Sequence, residues 1–220
     1  MTYTGAKAES HYDNSHAYLM DCMDALRQTP DKYFDLAVVD PPYQNNDAIG
    51  MVNGKKHSAN RKQYHTFDNI APPPEYFAEL IRISKNHIVW GGNFFGLKGG
   101  VIAWNKFGTA FGEGEVAICS THGSVRFFEY TWNGMLQQNM KDKEIRIHST
   151  QKPVALYDWI YHNYLPNGGK VIDTHLGSGS NRIAADKARN IEFYGFEIDS
   201  EYYEAQEKRF KNYKAQLKLF

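Results

Sequence analysis

The 220 residues include 25 basic and 25 acidic side chains, so a basic stripe over the whole chain is excluded and any affinity for nucleic acid has to come from local patches. That length fits one domain, 1–220, with a continuous core. The only cysteines, Cys22 and Cys119, offer neither a disulfide framework nor a metal-spacing pair; with no signal peptide pattern and no membrane-length apolar run, they fit a protein of the reducing cytoplasm.

Residues 1–15 are polar and expected to be loosely ordered. A short strand over 16–20 leads to Asp21 and a helical stretch over 23–28. The run 34–39 is apolar without alternation, the pattern of a strand buried on both faces. Asp40-Pro41-Pro42-Tyr43 follows it directly. The carboxylate accepts one hydrogen of an exocyclic amine and a carbonyl of the proline segment accepts the other. Neither proline has an N–H, so the stretch offers acceptors and almost no donors. The tyrosine ring adds a stacking face. An amine held by two acceptors is what methyl transfer to nitrogen requires. The plain alternative is a strand-ending turn.

Residues 44–73 are polar and long for a structureless connection, so they form either a functional loop or one that orders on a partner. Because this loop leaves the Asp-Pro-Pro-Tyr strand, Lys55, Lys56, Arg61 and Lys62 are candidates for phosphate contact, set against a solvated charge run. Phe77, Leu80 and Ile81 have helical spacing over 75–84. Strands are expected over 88–90, 101–104, 116–119 and 125–132, with a turn at 122–124. The glycines of Trp90-Gly91-Gly92-Asn93 allow a close approach of a target strand, while core packing accounts for Trp90 equally well.

Residues 133–150 are polar again, and Pro153 suits the first turn of a helix bearing Leu156, Ile160 and Tyr164. A strand over 170–173, a loop running into a helix over 177–188 and a strand over 193–198 follow. The last helix begins near Ser200, with Tyr203, Phe210, Tyr213 and Leu217 on one face and Lys208, Arg209, Lys211, Lys214 and Lys218 expected in solvent. Strands alternating with helices make this an α/β chain with a doubly wound, mostly parallel sheet.

The segment 171–180 reads as strand, small-residue turn and helix. Gly177 and Gly179 let backbone approach a ligand at a helix N-terminus, although Gly-x-Gly alone is more often a structural turn. Glu197 ends the next strand, where an acid is placed to take a ribose's two hydroxyls. Arg182 stands where a dinucleotide signature has its third glycine, so a nucleoside cofactor without a pyrophosphate fits better than NAD.

Taken in order, Asp21-Cys22, Asp40-Pro41-Pro42-Tyr43, His148-Ser149-Thr150-Gln151-Lys152-Pro153 and Asp173 through Gly179 resemble the DNA amino-methyltransferases of the β class. The likeness covers about 16–210 and is strongest to the small adenine-specific enzymes of phages and prophages. It implies the S-adenosylmethionine-dependent methyltransferase fold, circularly permuted so that the catalytic strand precedes the glycine segment. It also implies a catalytic half over 16–104, a short target-recognition segment over 105–147 and a cofactor half over 148–212.

The implied activity is transfer of a methyl group from S-adenosylmethionine to adenine N6 in DNA, with S-adenosylhomocysteine as product. Asp40, Pro41, Pro42 and Tyr43 would be catalytic. Asp173 and the Gly177-Ser178-Gly179 backbone would hold the methionine part, Glu197 the ribose and Asp21, beside Cys22, the cofactor's adenine. Thr150 and Lys152 resemble the segment that places the cofactor carboxylate. Thr174-His175 replaces the commoner Pro-Phe, so His175 is expected to pack on the cofactor, and Ser149 replaces a proline. The target base has to be flipped out of the duplex. Arg126, Asn133, Gln137, Gln138, Lys141 and Arg146 are chemically able to contact DNA. No metal is required. The resemblance further implies the cytoplasm of a bacterial or phage-infected cell and a possible homodimer. N4-cytosine methylation uses the same chemistry, but more often with Ser-Pro-Pro-Tyr. A catalytically silent DNA-binding protein of the same fold is the rival from another class.

Overall fold

Leu36 and Val38 face one side of the sheet and Ala37 and Val39 the other, so the unbroken apolar run Phe34–Val39 forms a strand with a core on each face. The computed structural model describes residues 1–43, 70–108, 112–132 and 136–216. In chain order the strands are β1 (Ala8–Tyr12), β2 (Ser15–Leu19), β3 (Phe34–Val39), β4 (Ser84–Trp90), β5 (Gly100–Asn105), β6 (Gly114–Cys119), β7 (Val125–Glu129), β8 (Gly169–Asp173) and β9 (Ile191–Glu197). The helices are α1 (Cys22–Gln28), α2 (Pro74–Ile83), α3 (Val154–Tyr164), α4 (Ser180–Ala188) and α5 (Ser200–Gln216).

One nine-stranded sheet runs in the order β1-β2-β9-β8-β3-β4-β6-β5-β7. Its middle, β2-β9-β8-β3-β4, is parallel throughout, whereas β1 and β6 are antiparallel to their neighbours. From the adjacent pair β3 and β8 the chain moves outward in opposite directions, through α2 to β4 and through α4 to β9. That pair is the topological switch point, where a doubly wound sheet opens a crevice at its C-terminal edge.

The cores follow from helix amphipathicity. Tyr76, Phe77, Leu80 and Ile83 recur at helical spacing on α2 and pack with Leu26 of α1 against Ala37, Val39 and Ile172. Leu156 and Ile160 of α3, Ala184 and Ala185 of α4 and Tyr203 of α5 cover the face that holds Val38, Trp90 and Val171. Each fully buried large apolar side chain contributes roughly 1.5–3 kcal/mol. Asp21 caps α1, its carboxylate accepting from the Met23 N–H at 2.8 Å.

The N-terminal 15 residues are more ordered than their polarity suggests. Residues 8–12 form β1, paired Ala8 to Leu19 through Tyr12 to Ser15. Tyr3 is buried, with its ring edge-on to Tyr18 at 5.2 Å and to Phe196 at 4.9 Å. A polar edge strand can be held through one face and its ladder, which composition alone underrates. Strand β7 ends at Glu129, before the expected 132; Trp132 instead bridges to Gln137 and donates its indole N–H to the Gln151 carbonyl at 2.8 Å. Strands β6 and β7, inside the expected recognition segment, are part of the sheet itself. Among the described residues no helix is long and apolar enough to cross a membrane.

Candidate active site

Four acids stand at the C-terminal ends of four adjacent parallel strands. Asp21 follows β2, Glu197 ends β9, Asp173 ends β8 and Asp40 follows β3. The parallel register of these strands places them in one row at the switch point. Asn181 at the start of α4 ties two of these strands, donating to the Val38 carbonyl at 3.1 Å and to Asp173 Oδ2 at 2.9 Å.

Pro41 and Pro42 end β3 and leave the Asp40 side chain about 20% exposed. Asp40 Oδ2 forms an ion pair with the ammonium of Lys152, which is itself buried. Asp40 Oδ1 is buried and has no hydrogen-bond partner among the described residues. Lys152 Nζ also lies 3.1 Å from Glu115 Oε2, and the other Glu115 oxygen meets Lys106. Burial pushes the Asp40 carboxyl up, against the pull of the Lys152 charge. Burial also pushes Glu115 up, but the Lys152 and Lys106 charges outweigh it and bring that carboxyl down to about 2. Burial alone would lower Lys152; Asp40 and Glu115 hold it well above its ordinary value.

The Tyr43 ring stacks on Phe94 with centroids 5.0 Å apart and planes 13° apart, and Phe94 is half exposed. Gly91 makes this stack possible. It has φ +66°, and a Cβ there would come within 2.5 Å of a Tyr43 ring carbon. Gly92 faces Ile118 in the same way. The two glycines therefore admit this protein's own side chains.

On the β8 side, Asp173 is buried and its carboxyl is pushed up to about 7 by burial, despite accepting from Asn181 and from the His175 N–H at 3.1 Å. Thr174 Oγ1 shares hydrogen bonds with the Tyr76 hydroxyl at 2.6 Å and His175 Nδ1 at 2.9 Å. The His175 ring stands edge-on to Tyr76, and burial brings its imidazole down to about 4. Gly177 and Gly179 adopt φ +49° and +71°, so the turn before α4 needs their left-handed freedom. Glu197 Oε2 accepts from the Gly177 N–H at 2.8 Å, and Oε1 from the Ile198 and Asp199 N–H groups at 3.0 Å. Cys22 is half buried beside Asp21, and its thiol is pushed up to about 12 by burial.

Several expectations change at this level. Lys152 is gripped by Asp40 and Glu115, so its ammonium belongs to the Asp40 cluster; Thr150 Oγ1 instead contacts His148 Nδ1 at 3.1 Å. Arg209 is not a solvent-facing lysine-like neighbour. It donates to the Ser178 carbonyl at 2.8 Å and Ser180 Oγ at 2.9 Å and pairs with Glu144 at 2.6 Å, tying the glycine turn to the segment before α3. Lys214 likewise pairs with Asp186 at 2.9 Å. Arg126 is exposed on β7, the edge strand, with Ile102, Ala117 and Trp90 between it and the level of Asp40. At strand spacing it stands roughly 19 Å to the side of β3. Lys55, Lys56, Arg61, Lys62, Asn133, Leu217 and Lys218 lie outside the described residues. Glu115, Lys106 and Phe94 join the site without a motif that marks them in the sequence. A lone acid in the apolar run Gly114–Cys119 was the available signal, since a buried charge demands a partner.

A family model described as DNA methylase matches residues 89–208, which include the His148–Pro153 and Asp173–Gly179 segments. The type II methyltransferase M.HinfI of Haemophilus influenzae is 24% identical over 245 aligned positions, spanning 88% of this chain and 67% of that protein. Among solved structures, the M1.HpyAVI–SAM complex aligns with TM-score 0.56 at 18% identity over 88% of this chain and 98% of that one. The PvuII DNA methyltransferase, cytosine-N4-specific, aligns with TM-score 0.63 at 13% identity over 94% of this chain and 90% of that one. At such identities the structural likeness concerns the fold.

Proposed function

The chain belongs to the DNA methylase family, and from that premise we propose that it transfers a methyl group from S-adenosylmethionine to the exocyclic N6 amine of a flipped-out adenine in DNA. The observation that carries this reading is Asp40 Oδ1, a buried acceptor without a partner among the described residues, held at the switch point beside Asp173. A buried acceptor left open invites a donor, and an exocyclic amine supplies one.

The donor set fits the cosubstrate. The left-handed Gly177–Gly179 turn opens onto the N-terminus of α4, and three carboxylates at neighbouring strand ends suit a ligand rich in hydroxyl and amino donors. In this reading Asp173, Thr174, His175 and the Gly177, Ser178 and Gly179 backbone hold the methionine part. Glu197 takes the ribose, and Asp21 with Cys22 borders the adenine. When bound, S-adenosylmethionine supplies a methyl carbon activated by a sulfonium sulfur. Asp40 Oδ1 accepts one hydrogen of the target amine and the Pro41 carbonyl the other. These contacts favour a pyramidal nitrogen with a localised lone pair, a gain realised mainly at the transition state. Lys152 pulls the Asp40 carboxyl back toward its ionised form, against the burial that raises it. Tyr43, braced on Phe94, is the stacking face for the base.

Asp at the head of the Asp-Pro-Pro-Tyr segment favours adenine over cytosine. Two copies per recognition site are also proposed, because the expected target-recognition segment 105–147 is short and gives β6 and β7 to the sheet. Mass spectrometry of nucleosides from unmethylated DNA incubated with protein and isotopically labelled S-adenosylmethionine tests the reaction. Labelled N6-methyladenine supports it, labelled N4-methylcytosine keeps the mechanism but replaces the base, and no label in DNA overturns both. Sedimentation of the protein with and without DNA decides the dimer, which a monomer under both conditions would exclude.

A further inference from the structure

Two of the four charged groups linked at the Asp40 site play no part in the reaction as described above. Glu115 belongs to β6 and Lys106 immediately follows β5. The antiparallel register sets Glu115 opposite Trp104, and the Lys106 N–H donates to the Glu113 carbonyl at 2.9 Å. Both side chains therefore rise at the same end of the sheet. Lys106 meets one Glu115 oxygen, the other lies 3.1 Å from Lys152 Nζ, and Lys152 holds Asp40 Oδ2. Indole rings back the two ammonium groups, Trp104 with its centroid 4.4 Å from Lys106 Nζ and Trp90 5.4 Å from Lys152 Nζ. The charges alternate along this line in the order Asp40, Lys152, Glu115, Lys106, and they sum to zero.

We propose that Glu115 and Lys106 are positioning residues that act through Lys152 to set the charge on Asp40, and hence the range of pH over which Asp40 Oδ1 can accept the substrate amine. The inference rests on the methyl-transfer reading of Asp40. An ammonium held by Asp40 alone would place its whole field on that carboxylate and weaken it as an acceptor. Glu115 draws off part of that field, and Lys106 keeps Glu115 ionised and in place. The directions agree: at Asp40 burial raises the pKa, Lys152 lowers it, Glu115 raises it and Lys106 lowers it. The other titratable groups facing the cluster are Tyr43 after β3, Tyr76 of α2, Tyr157 of α3, Asp173 of β8 and His148 ahead of α3, whose imidazole burial and the Lys152 charge bring down to about 4 and which is the same in every variant considered below. The three tyrosines are raised above their ordinary value by burial and stay neutral. Asp173 titrates near neutrality, but it is common to every variant considered below.

The test compares wild type, Glu115→Gln and Lys106→Gln by two readouts. One is the pH profile of single-turnover methylation; the other is the 13C NMR titration of the Asp40 carboxyl in the free protein. Glu115→Gln is expected to move both the acid limb and the Asp40 titration to lower pH, and Lys106→Gln to move both to higher pH. The ratio of the rate at acid pH to the plateau rate changes severalfold in opposite senses. A merely structural ion-pair chain would lower stability and leave both limbs in place, which would overturn the proposal. So would two limbs moving the same way, or NMR shifts without any change in the rate profile. If wild type fails to methylate DNA, the methyl-transfer reading falls first and the catalytic inference with it. If wild type methylates and the limbs do not move, the inference alone falls. Should a single variant not fold, the charge-neutral double variant Glu115→Gln/Lys106→Gln carries the test, and its limb must lie below that of wild type.

Discussion

Asp40 combines two properties that rarely coexist in one side chain, a buried open oxygen and a charge held by a buried lysine. Asp40→Ala should reduce methylation by about 10²–10⁴-fold while S-adenosylmethionine binding, measured by calorimetry, is largely kept; an active variant would sink the mechanism. Gly91→Ala is a different kind of probe, because the added carbon meets the Tyr43 ring at a left-handed backbone position. It should cost about 1–2 kcal/mol, lowering Tm by roughly 2–8 °C, and weaken DNA binding by unseating Tyr43 from Phe94. Asp173 predicts a pH effect. Its carboxyl stands at about 7 in the fold against an ordinary 3.8, so folding favours the protonated form. The folded state then binds a proton that the unfolded chain has released, and this contribution to stability is lost as pH rises from about 4 to about 7. Asp173→Asn removes that loss, so denaturant titrations should show the variant gaining on wild type by a few kcal/mol between pH 5 and pH 8. A constant difference would exclude a raised Asp173.

At the scale of elements, two arginines join segments that sequence reading leaves apart. Arg182 is fully buried where α4, α5, β1 and β2 meet. It donates to Ser15 Oγ at 2.8 Å, Gln206 Oε1 at 2.9 Å and Ser10 Oγ at 3.1 Å, pairs with Glu207 and lies 4.0 Å from the Phe210 ring centroid. Arg182→Ala should cost about 3–5 kcal/mol by leaving Glu207 buried and unpaired. Replacing both, as Arg182→Met with Glu207→Leu, should recover most of that loss in the same unfolding assay. No recovery would mean that the arginine acts through its hydrogen bonds to β1 and β2. Arg209 performs a comparable service nearer the site, since it is the side chain through which α5 reaches the Ser178 carbonyl. The position of Arg182 in the glycine segment excluded a dinucleotide signature; its structural use as a strut became visible only when the four elements met.

Across the molecule, the balance of 25 basic and 25 acidic residues limits long-range attraction to DNA. The slope of log Kd against log salt should correspond to few phosphate contacts, below about 4. A slope of about 8 or more would overturn this expectation from the balance of charge.

Local chemistry was legible without a structure wherever neighbours in the chain decide the outcome. The strand before Asp40 is read from an apolar run, the turn after Asp173 from its glycines, and the order of the motifs implies the family to which the chain belongs. The start of the last helix at Ser200 was likewise written locally. What the tertiary structure decided is partnership. Lys152 reads alone as a ligand-facing cation, and only the approach of β3, β6 and the start of α3 turns it into the counter-ion of Asp40 and Glu115. Residues 1–15 read as loose because their hydrogen bonds lie with β2 and their burial with Phe196, far along the chain. Pattern and propensity act over a few residues, whereas the charge of a buried group is set by whatever the fold brings within several ångströms of it.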